Sequence, residues 1–273
     1  MIHGTQHRRG VPTVYHRIVC LTEEPTEILY RLGEDRRIVG ISGFTVRPAR
    51  ARKEKPKVSA FTSAKIDRIL ELEPDLVFGF SDIQADIAAE LIRGGVEVHI
   101  FNHRSVAEIL RTVRAIAGLV GCPEKGEALV AELQAGLDRI AERAAALPRR
   151  PRVYFEEWYD PLISGIRWVS ELIELAGGED CFPEFRECSL AKDRIIADPD
   201  EVVRRAPDVI VGSWCGRKFR PERVVARPGW GVIPAVAGGH VYEVKSALIL
   251  QPGPAALTDG VEALAGIIGG WKG

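Results

Sequence analysis

No run of about 18 apolar residues occurs in the chain, so no segment has the length and hydrophobicity of a helix that crosses a bilayer. Catalytic signatures are missing too. There is no G-x-S-x-G elbow, no G-x-x-x-x-G-K-S/T loop, no H-E-x-x-H and no G-x-G-x-x-G, which removes the usual grounds for expecting a hydrolase, an NTPase, a zinc protease or a dinucleotide-dependent enzyme. An excess of one charge is lacking: 37 Lys and Arg stand against 38 Asp and Glu. That balance gives no general pull toward nucleic acid or anionic membrane, so any charge preference is local.

Cysteine is sparse and dispersed. The five (Cys20, Cys122, Cys181, Cys188 and Cys215) form no C-x-x-C, and no His pair stands at zinc-finger spacing, so no metal module is expected. Cys181 and Cys188 are close enough in sequence to bridge; buried or idle thiols are the other reading. Cys215 follows a predicted strand in Gly212-Ser213-Trp214-Cys215-Gly216, where a nucleophile could sit, but no partner histidine can be named. The paired acids Glu23-Glu24 and Glu156-Glu157 are read as solvated loop charges, because adjacency alone does not converge two carboxylates on a substrate. The first 16 residues hold three of the six histidines (His3, His7 and His16) and read as a loosely docked lead-in. They carry no apolar core of secretory-signal length, so the expectation is either a mature or trimmed exported chain or a cytosolic one.

What is present is a folded-protein composition, 46% hydrophobic and 27% charged, over 273 residues, enough for two lobes with separate cores. The organising stretch is the run 123–147. Pro123 suits a first helical position, Glu124 and Glu127 suit the positive end of the dipole, and Leu129, Leu133, Leu137, Ile140, Ala144 and Leu147 recur at steps of three and four. Pro148 and Pro151 stop it. It is read as a strut over 122–148 between lobes at 17–121 and 149–273. On either side the grammar alternates short apolar strands (18–21, 37–41, 76–80, 96–101 and 241–244) with helices, the pattern of a parallel α/β fold; 42–57, rich in Arg, Lys and Pro, reads as a loop.

The two halves repeat each other. Glu73-Pro74-Asp75-Leu76-Val77 matches Ala206-Pro207-Asp208-Val209-Ile210, and an aspartate, Asp67 or Asp200, stands seven residues before each proline. Gly94-Gly95-Val96 matches Gly238-Gly239-His240, and Glu27-Ile28-Leu29 before Gly33 matches Glu171-Leu172-Ile173 before Gly177. Open parallel sheets bind ligands beyond the carboxyl ends of their strands, so a ligand cleft between lobes is expected there. The candidates are Glu23, Phe44, Thr45, Arg47, Phe61, Phe80 and Asp82 in the first half. In the second they are Trp158, Tyr159, Trp168, Trp214, Arg217, Lys218 and Lys245, with Arg167 as a further cation. Several aromatic residues at such positions suit a large flat ligand as well as rim packing.

These pieces, with Arg227-Pro228-Gly229-Trp230, Ile233-Pro234-Ala235-Val236 and Pro252-Gly253-Pro254, occur in an order that resembles the substrate-binding proteins of cobalamin and ferric-siderophore ABC transporters, over about 17–268. The resemblance implies two Rossmann-like lobes joined by one long helix, limited closure around a metal chelate, no catalysis, and no intrinsic cofactor, the chelate being cargo. It implies an exported, monomeric protein whose lobes each dock an acidic side chain, here Asp67 and Asp200, on the permease; the family commonly has Glu there. Phe61 and Phe80 match positions that surround a corrin in cobalamin-binding members, whereas Arg47 stands where an aromatic would be expected. Arg47, Arg217 and Lys218 suit anionic ferric siderophores, so cobalamin and an anionic iron chelate both remain open, the former slightly favoured. Two other roles compatible with the fold are a cytosolic corrinoid or metal-chelate carrier or sensor, and an enzyme acting on a bound tetrapyrrole.

Overall fold

The computed structural model describes residues 15–273. Of the lead-in, His3 and His7 lie outside the described residues; the Tyr15 hydroxyl donates to Glu97 and the His16 amide to the Asp75 carboxylate.

The chain forms two compact units. The first comprises residues up to 102 together with Thr112–Leu129. It contains β1 (Ile18–Cys20), α1 (Glu23–Arg31), β2 (Ile38–Ser42), α2 (Ala51–Glu54), β3 (Lys57–Ala60), β4 (Ser63–Ala64), α3 (Ile66–Glu71), β5 (Leu76–Phe80), α4 (Ala85–Arg93) and β6 (Val98–Phe101). Its sheet runs β4-β3-β2-β1-β5-β6, parallel except for β4. Two helices, α5 (Val106–Leu119) and α6 (Pro123–Ala145), have residues in both units.

The second unit, His103–Arg111 with Val130–Gly273, holds β7 (Arg152–Tyr159), β8 (Leu162–Ser164), α7 (Arg167–Leu175), β9 (Glu179–Asp180), α8 (Asp200–Arg205), β10 (Val209–Gly212), α9 (Pro221–Val225), α10 (Pro234–Ala237), β11 (Val241–Glu243), α11 (Ser246–Ile249) and α12 (Val261–Gly270). The sheet order is β11-β10-β7-β8, with β9 also on β7; β10 is parallel to both neighbours. The expected architecture, two parallel-dominated α/β units with one long helix, is the one the chain adopts.

Helix α6 follows its stripe. Leu129, Leu133, Leu137 and Ile140 are all buried, and 23 residues at ~1.5 Å each make a rod of about 34 Å. It ends at Ala145, so Leu147 lies beyond it. The reading of 42–57 as loop needs correction: α2 lies inside it and Lys57 opens β3. Lys57 and Ser59 give β3 little apolar signal of its own, and the strand is held by its parallel pairing with β2.

The repeated motif is one structural device used twice. Glu73 and Ala206 both take positive φ, +45° and +44°, a conformation that costs a non-glycine residue roughly 1 kcal/mol. The proline that follows is succeeded by an aspartate that locks the start of the unit's first strand. The Asp75 amide donates to the Arg17 carbonyl at 2.9 Å and its carboxylate accepts from the Arg17 amide at 2.9 Å. Asp208 and Arg152 make the same pair of bonds, both at 2.8 Å. Gly95 and Gly239, at φ +82° and +73°, turn the chain out of α4 and α10, a turn an L side chain would resist.

Each unit has a core cluster of its own. Val19, Leu21, Val58, Ile69, Val77 and Leu91 pack together in the first unit, and Tyr154, Phe182, Ile210, Trp214, Phe219 and Trp230 in the second. At Gly212, the last residue of β10, the Phe219 ring occupies the place of a side chain: a Cβ there would lie 1.8 Å from it. The missing side chain therefore lets the segment after β10 fold back on the strand end.

Candidate functional site

In the first unit the strand order reverses between β1 and β5, the place where an open parallel sheet offers a crevice beyond its carboxyl edge. Phe44 and Val46, after β2, and Ile83, after β5, are large apolar side chains left exposed there. Phe80 ends β5 and is buried, while Phe61, between β3 and β4, is half-buried. Gln84 ties the two loops together, its side-chain oxygen accepting from the Phe80 amide at 2.9 Å and its nitrogen donating to the Phe61 carbonyl at 3.0 Å. Buried at 0% exposure, it was invisible to sequence reasoning because nothing near it in sequence marks it as a partner of Phe61. Ser81 holds φ +62°, and its hydroxyl accepts from the Ile83 amide at 3.3 Å, so the strained turn after β5 fixes where Ile83 leaves the sheet. Thr45 is buried and Asp82 exposed. Arg47 lies with its Nε 3.1 Å from Glu27 and is neutralised within its own unit.

Glu23 and Glu24 are not solvated charges. They are 7% and 2% exposed, and burial pushes their carboxyl groups up to about 8 and about 7; for Glu23 the neighbouring Glu24 adds to the shift, and for Glu24 a hydrogen bond from the Thr22 hydroxyl opposes it. Because the folded values lie above the ordinary 4.5, their contribution to stability is full below about pH 4.5 and is lost as pH rises through 7 and 8. Replacing both by Gln should therefore raise the urea midpoint relative to wild type at pH 8.5, with a much smaller difference at pH 5. An equal offset at both values would show that the two groups do not titrate in this way.

The second unit brings more of the candidates together. Trp158 and Tyr159 are the last residues of β7, and Trp214 follows β10, its parallel neighbour. Tyr159 lies between the two indoles, 5.1 Å from Trp158 and 4.4 Å from Trp214 by ring centroids. A pocket of about 230 Å³ is lined by Tyr159, Trp214, Arg217, Lys218, Arg220 and Arg223. Arg217 donates to the Tyr159 hydroxyl at 2.8 Å and stands over Trp158, while Arg223 stands over Tyr159. Arg220 and Arg223 were missed from sequence, although the three-residue spacing Arg217, Arg220, Arg223 around Pro221 was a usable signal.

Beneath the pocket lies a second correction. Glu156 is 0% exposed and central: Arg227 grips it with both guanidinium nitrogens at 2.5 and 2.9 Å, the Trp214 indole donates at 3.0 Å and the Tyr154 hydroxyl at 3.2 Å. Its oxygens thus have strong donors, and Trp214 is fixed from below. Glu157 is likewise paired, with the buried Arg194. The fold gives Glu156 and Glu157 different arginine partners, which adjacency in sequence conceals.

Other candidates lie elsewhere. Trp168 is in α7, buried at 3% exposure, and donates to the Ile249 carbonyl at 2.9 Å, so it is a core residue and not part of this pocket. Arg167 pairs with Glu171, and Lys245 with Glu243. Cys20, Cys122, Cys181 and Cys188 are free thiols, Cys181 buried, and Cys215 is exposed. Among the described residues no group of three or more His, Cys, Asp or Glu is placed to hold a metal ion. Asp67 and Asp200 occupy the exposed first turns of α3 and α8. Near Asp200, Asp198 and Glu201 are engaged by Arg204, whereas the Asp200 carboxylate has no partner among the described residues.

Comparison with known proteins matches residues 18–248 to the family described as periplasmic binding protein. An uncharacterized ABC transporter substrate-binding lipoprotein, YvrC, from Bacillus subtilis is 26% identical, covering 91% of this chain and 78% of its own. A vitamin B12-binding protein from Vibrio campbellii is 25% identical, over 86% of this chain and 83% of its own. Among solved structures, the periplasmic heme-binding protein RhuT from Roseiflexus sp. RS-1 superposes with a TM-score of 0.78 at 24% identity, covering 93% of this chain and 99% of its own.

Proposed function

The chain belongs to the periplasmic binding protein family, and from that premise we propose that it captures a metal-containing cofactor or chelate and delivers it to an ABC importer, without a chemical step of its own. The observation that carries this reading is the pocket at the carboxyl ends of β7 and β10, where aromatic faces and cations meet with no acid–base pair aimed into the space. Aromatic faces suit the flat body of a metal complex, and guanidinium groups suit its oxygen-rich edge. The relatives named for vitamin B12 and heme carry ligands of that kind. Cobalamin and an anionic iron chelate are the two ligand classes, held as cargo and not as a resident cofactor.

Delivery implies an export destination, in line with the lipoprotein and periplasmic relatives. It also implies contact with permease subunits, for which the exposed Asp67 and Asp200, one on each unit, are the proposed acidic anchors. Calorimetric titration of the ligand-stripped protein with cyanocobalamin, hemin and a panel of ferric siderophores tests the reading. Tight one-to-one binding of any of them supports it, and silence with all of them overturns it.

A further inference from the structure

Many cations of the second unit are paired. Arg143, Arg152, Arg167, Arg186, Arg194, Arg204, Arg205, Arg227 and Lys245 each have a carboxylate partner. Arg217, Lys218, Arg220 and Arg223, crowded around about 230 Å³, have none among the described residues, and no carboxylate lines the space. Glu222, between two of them in sequence, is not part of the lining. Four like charges brought together without a counter-charge repel one another, and the repulsion is relieved when an anion enters.

The surroundings are built to hold that arrangement. Trp214 forms the floor, fixed from below by Glu156 and packed edge-on by Phe219, which itself sits on Gly212. Tyr159 lies against it, and its hydroxyl orients Arg217. Cations on a preorganised aromatic wall recognise carboxylate or catecholate oxygens at the rim of a flat body better than the neutral amides of a corrin, because the charge-assisted bonds are the stronger ones.

We propose that this pocket is an anion subsite and that the natural ligand is a chelate with carboxylate or catecholate groups on its periphery, not a neutral corrinoid. The inference rests on the chelate-binding function and narrows it. Those oxygens have two sources, the carboxylate arms of a metallated macrocycle and the ligating arms of an iron siderophore, and the choice of probe separates them.

The test is titration of wild type and of an Arg217→Gln/Arg223→Gln variant with hemin, with a tricatecholate iron(III) complex and with cyanocobalamin, at low and high salt. Hemin or the iron complex should bind wild type well ahead of cyanocobalamin, the better of the two identifying the source. The double variant should bind that probe roughly 100-fold more weakly, with a shallower salt dependence and an unchanged melting temperature. Single Arg217→Lys should recover part of the loss, since it keeps the charge without the planar fork. Tight binding of cyanocobalamin that the double variant leaves intact would overturn the anion subsite while leaving chelate capture standing. Failure of every probe would remove the function and the inference together.

Discussion

Arg227→Ala should destabilise the protein by about 3–5 kcal/mol, since removing one partner of a buried ion pair leaves the other charged group without compensation. Glu156, fully buried, would keep only the indole of Trp214 and the hydroxyl of Tyr154 as donors. In thermal unfolding the transition of the second unit should fall by roughly 10 °C, at 2–4 °C for each kcal/mol in a unit of this size. Replacing the pair together, Glu156→Leu with Arg227→Met, should recover only part of that stability, because an apolar pair avoids the desolvation of two charges but leaves the Trp214 indole and the Tyr154 hydroxyl without their acceptor. The partly recovered double variant should still bind ligand poorly, since Trp214 has lost its acceptor and the pocket its fixed floor. A single Arg227→Ala protein that melts with wild type would mean that Glu156 is hydrated and not buried as described.

Reversing charge at both proposed anchors, Asp67→Arg with Asp200→Arg, should abolish ligand uptake in cells while the dissociation constant of the purified protein stays within about twofold of wild type. Both side chains are solvent-exposed and neither lines the pocket, so the cost to folding should be confined to the reversed charge in a helix's first turn, about 1–2 kcal/mol at each position. An acid in the first turn of a helix is also favourable for the dipole, and Asp→Asn separates the two roles: the dipole contribution is at most about 1 kcal/mol and acts on stability alone. Normal uptake by the double reversal would remove Asp67 and Asp200 as docking residues.

The long helix and the repeated motif were legible in sequence because their signals are local. The stripe through Leu129, Leu133, Leu137 and Ile140 fixes a buried face by spacing alone, and the Pro-Asp pair of the repeat makes the same turn in both units. Strand β3 was not legible, since its place depends on pairing with β2. The same limit hid the centre of the second unit. Nothing near Glu156 in sequence announces Arg227, and the pair is made only by the fold. Trp168 shows the converse: nearness to a strand end says nothing of direction, and the run Trp168, Val169, Leu172 and Ile173, all buried on α7, was the better guide. Of the residues proposed from position alone, Tyr159, Trp214, Arg217 and Lys218 share one pocket. Arg47 and Lys245 instead have carboxylate neighbours in their own units.

The distribution of indoles has an experimental consequence. All five tryptophans, Trp158, Trp168, Trp214, Trp230 and Trp271, belong to the second unit. Selectively excited tryptophan emission is therefore a one-sided optical reporter, blind to the unfolding of the first unit, which circular dichroism would still register. Any gap between the two signals during denaturation measures how far the two halves melt independently, without a label or an added chromophore.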